Sequence, residues 1–113
     1  MPKYLVLYRS SVPATQQMGS DPAAAAAGME LWMNWAGRVG DAIADLGSPL
    51  AGVATVTAAG SSSDASRPPI GGFSVLEADS VGAAKKLLDD HPHFHAPGDP
   101  SIEVLEFLPI PGM

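Results

Sequence analysis

Three histidines at alternate positions, His91, His93 and His95, form the densest set of chemistry-bearing side chains in the sequence. On an extended segment they share one face, and H-x-H-x-H spacing can supply zinc ligands. Against that, His91 is expected to close a helix, and Pro92 and Pro97 bend the chain. The segment therefore reads as a cluster at a helix end and in the following loop, with no metal and no other cofactor expected.

Other candidates are single residues. Tyr8 and Arg9 close the first strand-like run, where a phenol and a guanidinium could meet a polar ligand; an arginine there more often pairs with a local acid or is solvated. Trp32 and Trp35 lie three apart on one helix face, as core packing requires, and an indole there can also wall a ligand pocket. Asp89 and Asp90 are adjacent, so they diverge on a helix and make no paired-carboxylate site. Ser61 to Ser63 have no neighbouring general base and read as linker. No glycine pattern matches a phosphate-binding loop. Tyr8, Arg9, Trp35 and His91 remain as candidate ligand-binding residues, and no residue is assigned a catalytic role.

Composition narrows the partners. The formal net charge of -6, from 6 Lys+Arg and 12 Asp+Glu, repels nucleic acid and anionic lipid, so neither is an expected partner. Without cysteine there is no disulfide framework and no thiol nucleophile. The apolar run in MPKYLVLYRS is too short for an export signal or a membrane span, and a cytoplasmic location is the expectation. At 113 residues the chain has the size of a single domain spanning 1–113.

Hydrophobic periodicity supplies the elements that must position these residues. Residues 3–9 read as a strand with Leu5 and Leu7 on one face and Tyr4, Val6 and Tyr8 on the other. Asp21 and Pro22 open a helix whose apolar stripe (Trp32, Trp35 or Ala36, Val39, Ile43, Leu46) predicts an end near Leu46 with Gly47 as its stop. Leu50 to Thr57 reads as a second strand, Ala58 to Pro69 as a flexible loop, and Ile70 to Glu77 as a third strand. Asp79 caps a second helix with the stripe Val81, Ala84, Leu87 and Leu88, ended by His91-Pro92. Ser101 to Phe107 is the fourth strand. The order β-α-β-β-α-β predicts an α+β fold, a ferredoxin-like sandwich of the dimeric α+β barrel type.

Two helices cover only one side of such a sheet. The other side, with Tyr4, Val6, Tyr8, Leu105 and Phe107 as candidates, would be an exposed apolar patch. A homodimer through the sheet face is the expected partner arrangement, the alternative being that the long loop covers this face.

The opening K-Y-L-V-L-Y, Trp35 followed by Ala42 to Gly47, the Gly71-Gly72-Phe73 strand, the His91-Pro92 helix end and the Ile102-Glu103-Val104 strand together resemble the YCII-related proteins, in particular the DGPF-type branch. The resemblance implies a ferredoxin-like homodimer packed sheet against sheet, with a pocket between sheet and helices. The sequence departs from the family where chemistry is concerned. Before the third strand it reads Ser66-Arg67-Pro68-Pro69-Ile70 and lacks the Asp-Gly-Pro-Phe motif. The first helix has no histidine, and His91 stands where the classical proteins carry an aspartate. The acid-base pair of the family therefore does not carry over to any residue here.

Two functions follow as expectations. One is a dimeric protein that binds or transforms a small molecule. The other is a non-catalytic accessory or ligand-sensing module acting through association. A pocket is expected between the first helix and the sheet, near the end of the first strand. The second helix, taken as antiparallel to the strands, would bring His91 out at the opposite end from Arg9.

Overall fold

The computed structural model describes residues 2–12, 22–51, 54–62 and 70–112. It shows an α+β fold in which β1 (Lys3–Arg9), β2 (Ile43–Pro49), β5 (Ile70–Glu77) and β6 (Ser101–Glu106) form an antiparallel sheet in the order β2-β5-β1-β6. Two helices, α1 (Pro22–Val39) and α2 (Val81–Leu87), accompany it. A short hairpin, β3 (Thr55–Thr57) with β4 (Gly60–Ser62), makes a separate two-stranded sheet. Among the described residues, no helix is long and apolar enough to cross a membrane.

The first helix is shorter than its periodicity suggests. It stops at Val39 because Gly40 takes a left-handed φ of +63°, the usual conformation just past a helix end. Ile43 and Leu46 continue the three-and-four spacing by coincidence and belong to β2 instead. The second strand accordingly lies at 43–49 rather than 50–57, and Leu50 adds one further hydrogen bond, from its N–H to the Gly71 carbonyl at 2.9 Å. Of the segment expected to be a flexible loop, 60–62 form β4, whereas 63–69 lie outside the described residues.

β2 is irregular for a reason written in one residue. Gly47 has φ +86°, and a Cβ there would sit 1.6 Å from the Phe73 carbonyl oxygen. Only glycine permits this approach of β2 to β5.

β5 matches its expected span, and α2 begins one residue later than expected. Its cap is Ser80, whose hydroxyl accepts the Ala83 N–H at 3.1 Å, rather than Asp79. Ala84 and Leu88 face inward, while Val81 is exposed.

The core forms on the helix-covered face of the sheet. Val6, Tyr8, Leu76, Trp35 and Leu88 make one buried cluster, and Tyr4, Ala78 and Ala84 a second. This reverses the expectation for β1: Tyr4, Val6 and Tyr8 are core, not open surface. Both faces of the strand are apolar, so alternation separated the two sets without saying which one the helices cover. Cross-strand pairing places Leu5 against Val75 and Leu105, and Leu7 against Phe73, on the open face. The molecule is 20 Å through its thinnest dimension, about the sum of one sheet layer and one helix layer.

Chain direction decides where His91 emerges. β5 is antiparallel to β1, and α2 returns from the end of β5, so the C-terminal end of α2 arrives where β1 finishes. The expectation of opposite ends fails because α2 opposes β5, its predecessor, and thereby runs with β1.

Candidate functional site

At the C-terminal end of β1, Tyr8 meets Trp32 and Trp35 from α1 and the two histidines that follow α2. His91 lies with its ring centroid 4.3 Å from that of Trp35, 4.6 Å from Trp32 and 4.9 Å from Tyr8. Tyr8 also stands edge-on to Trp32 at 4.9 Å.

Backbone groups lock this cluster. Trp35 donates its Nε1–H to the Leu87 carbonyl at 2.8 Å, and Arg38 donates from Nη2 to the Asp89 carbonyl at 2.9 Å. Side chains of α1 thus satisfy carbonyls that the end of α2 would otherwise leave unpaired. His93 has Nε2 within 2.8 Å of the Arg9 carbonyl and 3.1 Å of the Ser101 carbonyl. Both neighbours are acceptors, so this nitrogen carries the proton and donates.

His91 is fully buried, and its Nδ1 accepts the His93 N–H at 2.9 Å. The proton of the neutral ring is therefore on Nε2, which has no hydrogen-bond partner among the described residues. Three aromatic rings, whose faces are weak acceptors at best, box it in. Burial pushes the His91 pKa down to about 3, and the neighbouring His93 and Arg38 push the same way. Among the described residues, no carboxylate belongs to the cluster.

Tyr8 is similarly silent as an acid. Its hydroxyl donates to Ser74 Oγ at 2.8 Å, and Ser74 Oγ donates to the Leu46 carbonyl at 2.6 Å. Burial pushes its pKa up to about 12, partly offset by the Ser74 contact. A neutral imidazole without an orienting acid and a phenol that stays protonated do not make an acid-base pair at neutral pH.

Beside Trp35, a half-open cleft of about 250 Å³ lies between α1 and the turn following α2. Leu31, Trp35 and Pro92 supply apolar wall, and Asn34, Arg38, Asp90 and His95 supply polar groups. Leu31, Trp35 and Arg38 follow the four-then-three spacing of one helix face. Asp90 sits at a left-handed φ of 55°, a conformation that aspartate tolerates better than most residues.

Of the four residues expected at a site, Tyr8, Trp35 and His91 come together, and Trp35 alone also lines the cleft. Arg9 does not join them. Strand alternation turns its side chain to the open face, where Nε donates to Glu103 Oε1 at 2.8 Å. The space between α1 and the sheet near β1's end is filled by Tyr8, Trp32, Trp35 and His91, and the cleft lies beside that packing, lined by α1 and the turn after α2 with no sheet residue. The three histidines part company: His91 is boxed in, His93 ties two strands together, and His95 faces the cleft. Among the described residues, no group of three His, Asp or Glu side chains comes together as metal ligands. Sequence reasoning passed over Asn34 and Arg38 and set Asp90 aside with Asp89, although the helix face shared by Trp35 and Arg38 was a usable signal.

No family model matches the chain, and no curated protein matches it.

Proposed function

We propose that this chain is a single ferredoxin-like, YCII-related domain that binds a small molecule in the cleft beside Trp35 and pairs with a second copy through its open sheet face. The observation that carries the binding role is the cleft itself: a buried indole floors a space of about 250 Å³ edged by Asn34, Arg38, Asp90 and His95. Apolar wall with a few convergent polar groups is the usual make-up of a small-molecule site. The strand order β2-β5-β1-β6, with β3 and β4 as an excursion, supports the ferredoxin-like reading.

Binding is favoured over turnover. His91, standing where the classical YCII proteins carry an aspartate, is neutral and inaccessible, and no carboxylate among the described residues orients it. The role is that of a ligand-sensing or accessory module. Self-association is supported by Leu5, Leu7, Phe73, Val75 and Leu105, which share the face of the sheet away from the two helices and are half-buried or exposed, with Arg9 and Glu103 at its edge. Such a patch with a charged rim resembles the make-up of interfaces.

A fragment library screened by two-dimensional NMR tests the binding role. Hits that move the Trp35 indole and Asn34 amide signals support it. A diverse library that moves neither, at concentrations where about millimolar affinities register, counts against it.

A further inference from the structure

Arg38 and Asp90 carry opposite charges into one cleft, yet no ion pair joins them. Arg38 commits Nη2 to the Asp89 carbonyl, which fixes the guanidinium at the cleft edge and leaves its other N–H groups available. Asp90, next along the chain from Asp89, has a left-handed φ of 55° and lines the same cleft. Leu31, Trp35 and Pro92 line the same cleft with apolar surface.

A ligand of single charge gains little here. Both groups lie within one Debye length of anything in the cleft, so a monoanion attracted by Arg38 is repelled by Asp90, and a monocation meets the reverse. A ligand carrying both charges, separated by a short spacer and attached to an apolar group, uses every wall. The volume, about 250 Å³, is below the ~300–1,000 Å³ of pockets for drug-sized molecules, which limits the occupant to about a dozen heavy atoms.

Resting on the binding role proposed above, we infer that the cleft takes a free α-amino acid with a large apolar side chain. Its carboxylate meets Arg38 and the Asn34 amide. Its ammonium meets Asp90. Its side chain lies against Trp35, Leu31 and Pro92.

The test titrates L-phenylalanine, N-acetyl-L-phenylalanine and L-phenylalanine amide into the labelled protein, following the Trp35 indole and Asn34 amide signals. The zwitterion should bind at least about tenfold more tightly than either derivative, as loss of one charge-assisted contact implies. Asp90→Asn, which keeps a residue suited to the left-handed backbone, should abolish the discrimination against the acetylated compound. Arg38→Gln should abolish the discrimination against the amide. Equal binding of all three compounds, or discrimination unchanged in both variants, overturns the amino-acid class while leaving a small-molecule cleft in place. If none of the three moves these signals at about 10 mM, the amino-acid class is also overturned, and the fragment screen separately decides whether the cleft binds anything.

Discussion

Trp35 donates its indole N–H to the Leu87 carbonyl across 2.8 Å, so one side chain both fills the core and fastens α1 to the end of α2. Trp35→Phe keeps most of the packing and orphans that carbonyl. It should cost about 1–3 kcal/mol in chemical denaturation. Trp35→Ala should cost about 3–5 kcal/mol. A Phe variant as stable as the parent would show that the hydrogen bond contributes nothing.

His91 makes stability depend on acid. Its folded pKa, about 3, lies below the ordinary value of 6.5, so the unfolded chain binds more protons as pH falls. The contribution is fully present above about pH 6.5 and is lost progressively down to about pH 3, at up to about 1.4 kcal/mol per pH unit. His91→Asn, whose side-chain oxygen can still accept the His93 N–H, should flatten this part of the stability profile. Parallel profiles for the two proteins between pH 7 and 4 would contradict the assignment, as would a His91 ring signal that titrates near pH 6.

The two faces of β1 should respond oppositely to charge. Val6 is fully buried, and Val6→Glu should unfold the protein, because an unpaired carboxylate cannot be accommodated in that core. Leu7, on the open face, should tolerate Glu and yield a folded monomer where the parent sediments as a dimer. A parent that sediments as a monomer at tens of micromolar would remove the self-association proposal.

Gly47→Ala should be among the most damaging single substitutions. A methyl group would overlap the Phe73 carbonyl, 1.6 Å away, and the residue would also be strained at φ +86°. The loss should exceed about 3 kcal/mol, read as a collapse of the denaturation midpoint. Gly60, with a positive φ but open space around it, should tolerate alanine far better.

Much of the fold was legible in the residues alone. Alternating apolar positions marked β1, β5 and β6, because that signal acts over neighbours in the chain, whereas the second helix ends at Leu87, ahead of the His91-Pro92 step that was expected to close it. Three things were decided only by tertiary structure. The face of β1 that becomes core depends on where the helices pack, since Leu5 and Leu7 are as apolar as Val6 and Tyr8. The boundary between α1 and β2 depends on Gly40 adopting a left-handed turn, whereas Val39, Ile43 and Leu46 satisfy a helical period equally well. The cleft joins α1 to the turn after α2, segments far apart in sequence, and no local pattern records that Arg38 and Asp90 will line it together. Local sterics act between near neighbours, while the pairing of distant surfaces follows from how the whole chain buries its apolar area.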